Sequence, residues 1–192
     1  MHGLRVIIGE PDDLQRAELK KLLHVLGQVI VGEAEDGLGT LKMVRRLNPD
    51  LVFLSLQPSM KDGEHVAHII EDERLCPVVL LVERGLRESI RSRQADTLLP
   101  YLIKPVQEMS LLPIIDLAVS RFREVSRLEK EIRQLKNTIE TRKIVEKAKG
   151  LLMRNLGINE SEAFRRIQKQ SMNKRLSLKA VAEAIIVAYD MQ

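Results

Sequence analysis

Four residues in the first half of the chain are of the types that phosphoryl chemistry uses. Glu10 and Asp12 are carboxylates that can hold a hard cation, Ser55 is a hydroxyl, and Lys104 is an ammonium that can meet an oxyanion. Each lies at the end of an apolar run. Glu10 and Asp12 follow "LRVIIG" (4–9), Ser55 closes "LVFLS" (51–55) and Lys104 follows "LLPYLI" (98–103). A second set lies near the C-terminus. Arg142, Lys143, Lys147, Lys149 and Arg154 recur within about three helical turns, and Arg165, Arg166, Lys174 and Arg175 form another cluster. Cations on a helix face can meet phosphates, and Arg can also stack on an unpaired base.

The elements that must position the first set alternate. Strands are expected at 4–9, 28–34, 51–55, 77–82 and 98–103, from short β-branched apolar runs. Between them lie helix-period segments at 12–27, 36–47, 63–73 and 86–95, and another helix starts near 106. In 12–27 the apolar positions are Leu14, Ala17, Leu22, Leu23 and Leu26. Five strands separated by helices predict an α/β fold, a parallel doubly wound sheet covered on both faces. Function in such sheets sits at the C-terminal strand edge. That edge offers Gly9, Glu10, Asp12, Ser55, Val82 and Lys104.

Composition narrows the classes. The 192 residues suit one domain plus a smaller one, with 44% hydrophobic and 30% charged residues. Residues 1–120 carry 14 Lys and Arg against 18 Asp and Glu, a net of −4, whereas residues 121–192 carry 17 against 9, a net of +8. An acidic front and a basic back point to two functions, with a polyanion as a partner for the back. The single cysteine, Cys76, excludes an internal disulfide and a CxxC metal knuckle, and its setting beside an apolar run makes it a core residue. No metal-ligand cluster or Gly-rich phosphate loop occurs, so no metal and no cofactor are expected. His65 and His68, at i and i+3, read as surface or packing histidines. No run approaches the ~20 apolar residues that span a bilayer, and no leader pattern is seen, so a cytoplasmic location is expected.

With "VIIGEPDD", "PDLVFLSLQPSMKDG" and "YLIKP" in order, residues 4 to about 120 resemble the receiver domain of bacterial response regulators. The resemblance implies an acidic pair after strand one, a phosphorylatable Asp after strand three, Thr or Ser after strand four and Lys-Pro after strand five. Lys104-Pro105 is kept, and Tyr101 falls at the switch-aromatic position. Glu10 and Asp12 flank Pro11, the acceptor position is Ser55, and the hydroxyl position is Val82. A serine hydroxyl is neutral and needs a base to become a nucleophile, and no residue beside Ser55 in sequence offers one. Val82 cannot hydrogen-bond a phosphoryl oxygen. The expectation is a degenerate receiver without phosphate on aspartate, serving dimerisation or protein-mediated control. Lys104 is then expected to neutralise Glu10 and Asp12, with a cis peptide at Lys104-Pro105.

After Pro113 no strong helix breaker occurs until Gly150. Val125, Leu128, Ile132, Leu135 and Ile139 alternate spacings of three and four, a heptad seam about 22 Å long. A parallel homodimeric coiled coil is expected; the alternative is an amphipathic helix packed on its own domain.

Three helices are expected beyond the seam. Ile144, Val145, Ala148, Leu151 and Leu152 line the first, which breaks near Gly157. Asn159 and Glu162 form a capping box for the second, with core candidates Ala163, Phe164, Ile167 and Met172. Ser177 caps the third, with an apolar stripe of Ala180, Val181, Ala184 and Ile185. Arg142, Ala148-Lys149-Gly150, Met153, Gly157, Glu162-Ala163-Phe164, Met172 and Val181-Ala182 resemble the ANTAR domain over residues 132 to about 190. That resemblance implies an antitermination regulator of the AmiR/NasT type, binding paired hairpins in a nascent leader RNA and controlled in some members by a sensor protein. With Phe164 read as buried and Tyr189 the other ring near the third helix, guanidinium contacts are expected to outweigh stacking. The expected organisation is a receiver-like domain at 1–120, a coiled-coil linker at 121–141 and an ANTAR domain at 132–192. Alternatives are a DNA-binding response regulator, a non-catalytic signalling module controlled by a protein partner and, weakest, a phosphotransfer enzyme acting at Ser55.

Overall fold

The computed structural model describes residues 3–57, 60, 62–86 and 99–190. Five strands, β1 (Arg5–Gly9), β2 (Val29–Ala34), β3 (Leu51–Leu56), β4 (Val78–Val82) and β5 (Tyr101–Ile103), form one parallel sheet. Their order is β2-β1-β3-β4-β5. The chain leaves β1 in one direction to β2 and in the other to β3, so the crevice between β1 and β3 is the switch point of the sheet. Helices α1 (Asp13–Val25), α2 (Gly37–Leu47) and α3 (Gly63–Asp72) are the crossovers. Arg84–Leu86 is a 3-10 turn, and the helix expected near 86–95 lies almost wholly outside the described residues. Strand β5 is shorter than expected because Pro100, whose carbonyl accepts from the Leu80 amide at 2.9 Å, has no N–H to extend the ladder.

Alternation along the strands divides the sheet's apolar residues between two cores. Val6, Ile8, Leu51 and Phe53 face one side, where Leu19 and Leu23 of α1 join Leu111 and Ile115. Ile7, Val52 and Leu54 face the other, against α2 and α3 through Leu41, Val44, Val66 and Ile70. Helix α1 therefore buries Leu19 and Leu23, while Leu14 and Ala17, expected inside, are exposed because they lie on the side of the helix away from Leu19 and Leu23.

Helix α4 runs from Glu108 to Leu156 as one element. It passes Pro113, losing one backbone donor near its start, and Gly150, where buried Leu151 and Leu152 outweigh glycine's poor propensity. It ends at Gly157, whose φ of +63° suits the left-handed closing residue and whose amide bonds the Met153 carbonyl at 3.1 Å.

Two compact units, Met1–Ser126 and Arg127–Gln192, divide within α4. In the second unit α5 (Glu160–Lys174) and α6 (Leu178–Asp190) pack with the end of α4. The Asn159–Glu162 capping box forms, and Ser177 Oγ accepts from the Ala180 amide at 3.1 Å. The core is Val145, Ala148, Leu152, Ala163, Ile167, Val181 and Ala182. Three expected core residues lie outside it. Phe164 is 40% exposed and Met172 73%, and Ala184 is exposed, because the faces that pack are set by Ala163 with Ile167 and by Val181 with Ala182.

Candidate functional site

The switch-point pocket is built by four strand ends. Glu10 follows β1, Ser55 is the penultimate residue of β3, Val82 ends β4 and Lys104 follows β5, and all four side chains are buried. The Lys104 amide donates to the Val82 carbonyl at 2.8 Å, which aims the side chain back across the sheet. Its ammonium donates to Ser55 Oγ at 2.7 Å and sits 2.6 Å from Glu10 Oε2. Glu10 Oε1 accepts from the Asp12 amide and from Gln57 Nε2, both at 3.1 Å. The pocket thus holds a closed ammonium–carboxylate–hydroxyl triad.

Asp12 does something else. Its side chain accepts from the Gln15 amide at 2.9 Å and caps α1, so among the described residues Lys104 pairs with Glu10 and not with Asp12. The expectation that Lys104 neutralises both carboxylates is thereby corrected: Asp12 stands at the helix N-cap, where its carboxylate meets an orphan amide. The Lys104-Pro105 peptide is cis. Tyr101 is half-buried against the core on the α2–α3 side.

Two residues that sequence reading passed over complete the surroundings. Asp62 accepts from the Gly37 and Leu38 amides at 3.3 and 2.8 Å, holding the start of α2. Gly63 lets α3 begin against β3, since a Cβ there would lie 2.7 Å from the Ser55 carbonyl oxygen. The Asp62-Gly63 dipeptide was the available clue. Beside the triad is a cavity of about 380 Å³, with Glu18, Glu83, Arg84, Leu19 and Leu81 on its walls. Gln15 Oε1, on the same walls, is buried with no hydrogen-bond donor among the described residues.

The basic residues of the second unit do not share one role. Lys143, Lys147 and Arg154 are exposed and fall on the side of α4 opposite Val145, Ala148 and Leu152. Arg165 and Arg166 are exposed on α5, and Lys174 and Arg175 at its end. Arg175 is the left-handed C-cap, with φ 53°. Lys149 is buried. It donates to Glu146 at 2.8 Å and to Glu160 at 2.6 Å, joining α4 to α5. These carboxylates, Glu146 first, raise the Lys149 ammonium above its ordinary pKa, and Lys149 holds Glu160 below its own. The grouping of Lys149 with phosphate-facing cations is therefore corrected to a structural pin.

Leu128, Ile132, Leu135 and Ile139 lie on one exposed stripe of α4, between 43% and 63% accessible, with Val125 half-buried at its start. The long helix fits a coiled coil. No described helix is long and apolar enough to cross a membrane. Among the described residues no three His, Cys, Asp or Glu side chains are grouped to hold a metal.

The ANTAR domain matches residues 133–186. The transcriptional regulatory protein PdtaR of Mycobacterium tuberculosis is 39% identical over 182 residues, covering 95% of this chain and 89% of that one. The sensory transduction protein LytT of Bacillus anthracis is 26% identical over 142 residues, 73% of this chain and 57% of that one. Two solved receiver domains share the fold of the first unit. That of AraT from Geobacillus stearothermophilus has a TM-score of 0.54 at 20% identity, over 66% of this chain and 99% of its own. That of a modulated diguanylate cyclase from Desulfovibrio desulfuricans G20 has 0.53 at 23%, over 63% and 97%. The chain belongs to the family of response regulators that join a receiver domain to an ANTAR domain.

Proposed function

We propose that this chain is an RNA-binding transcription antitermination regulator whose receiver domain works without an aspartyl phosphate. It binds paired hairpins in a nascent leader transcript and keeps a terminator from forming. The observation that carries this reading is the ANTAR match over residues 133–186, a region that presents exposed Lys143, Arg154, Arg165 and Arg166 around a small three-helix core. Exposed Lys and Arg at this density suit a phosphate backbone.

The receiver domain occupies residues 1–120, the linker helix 121–141 and the ANTAR domain 132–192. In the receiver the ammonium that a phosphorylated acceptor would need is already held by Glu10 and Ser55. Ser55 is wholly buried, and the nearest charged group is an ammonium, which cannot act as its base. Control therefore falls to a partner protein or to dimer geometry. The exposed stripe from Leu128 to Ile139 pairs with a second copy, and two ANTAR domains so joined each take one hairpin.

The test is direct binding of the purified chain to a two-hairpin leader RNA, titrated against salt, a scrambled-loop RNA and duplex DNA. Tight, salt-sensitive binding that discriminates the loops is expected. Equal weak binding to both RNAs, or preference for the duplex DNA, would overturn the reading in favour of a bare basic surface or a DNA-binding regulator.

A further inference from the structure

The exposed ring of Phe164 overlooks an open groove of about 730 Å³ within the second unit. Arg142 and Asn137 supply donors, Thr138 and Thr141 supply hydroxyls, and Glu146 supplies a carboxylate. Val145 and Leu178 form its apolar walls, and the Lys149–Glu146 pair lies along it. The mixture is informative. A phosphate seat needs donors and is repelled by a carboxylate. A nucleobase edge carries both donors and acceptors and has an apolar face, so ring, guanidinium and carboxylate in one concavity suit a base. The exposed Lys143, Lys147 and Arg154 lie on another side of α4 and leave the groove to a different part of the same ligand.

We propose that this groove seats one unpaired base of a single-stranded RNA loop, stacked on Phe164 with Arg142 and Glu146 facing its edge. The proposal rests on the RNA-binding reading above and adds where sequence discrimination is made.

The test uses the full chain and a two-hairpin leader RNA, with an otherwise identical RNA carrying an abasic site at each loop position in turn. The wild type is expected to lose about 5- to 150-fold in affinity at one loop position, the range of a base–aromatic stack. Phe164→Leu should bind the intact RNA as weakly as the wild type binds that abasic RNA, with no further loss when the base is removed. Phe164→Tyr should restore both the affinity and the penalty. The salt slope should be unchanged in all three, since no phosphate contact is altered. If Phe164→Leu binds like the wild type, the groove holds no base, although the RNA-binding reading stands. If the wild type fails to bind the leader RNA at all, that reading fails first and the groove assignment falls with it. A change of sedimentation state in Phe164→Leu would give the ring to a second copy of the chain and overturn the proposal.

Discussion

The ammonium of Lys104 reaches the hydroxyl of Ser55 at 2.7 Å, from the far edge of the sheet to the end of β3. The same ammonium sits 2.6 Å from Glu10 Oε2, and both partners are buried. A group that elsewhere would answer a developing oxyanion is here fixed inside a finished ion pair.

That pair is costly to break from one side. Lys104→Met should destabilise the receiver domain by about 3–5 kcal/mol, because it leaves the Glu10 carboxylate buried and uncompensated. Adding Glu10→Met should recover much of the loss. Urea unfolding of the single and double variants measures both, and an equally unstable double variant would place the cost in packing alone.

Ser55 should stay unmodified when the chain is incubated with a small phosphodonor and Mg²⁺. The hydroxyl is wholly buried and its nearest charged neighbour is an ammonium. Intact mass reads the outcome, and a stoichiometric phosphate adduct at Ser55 would reject a phosphate-independent receiver.

Leu128→Glu with Leu135→Glu should yield a monomer and weaken binding to a two-hairpin RNA by about 100-fold, through loss of effective concentration alone. Affinity for a single hairpin should hold. Sedimentation and titration together decide it; a monomer with undiminished two-hairpin affinity would remove the dimer from the mechanism.

Lys149 and Glu160 set a pH dependence for the second unit. Glu160 titrates below its ordinary value because Lys149 bonds its carboxylate. A group whose folded pKa is depressed contributes stability above its unfolded pKa and loses it as pH falls through the folded one. Below about pH 5, thermal stability of the wild type should therefore fall more steeply than that of Glu160→Gln. Parallel acid limbs in thermal melts would show that the pair contributes nothing.

Arg175 offers a separation of folding from binding. It closes α5 at φ 53°, a conformation that glycine adopts without strain. Arg175→Gly should leave stability unchanged or up to about 1 kcal/mol higher, while weakening RNA binding and flattening its salt dependence. Loss of stability with unchanged RNA affinity would make Arg175 purely structural.

Local sequence determined a good deal here. Strand and helix order followed from the periodicities, because a parallel sheet buried on both faces must read as short apolar runs between amphipathic segments. The Asn159–Glu162 box and the Ser177 cap were legible because a cap is a contact between neighbours in the chain. Cys76 was legible as core, and burial pushes its thiol up to about 12, with the Asp50 charge adding to the shift.

Contacts between distant residues were decided only by the tertiary structure. Whether Lys104 meets Glu10 or Asp12 depends on which carboxylate α1 recruits as its cap, and residue types alone do not order those two uses. Lys149 looked like its basic neighbours until α5 brought Glu160 beside it, 11 residues away. Phe164 shares the period of a core residue, yet Ala163 and Ile167 fix the packed face and turn the ring outward. Periodicity says that a face will be buried. The packing of helix on helix, a sum over many long-range contacts, chooses which one.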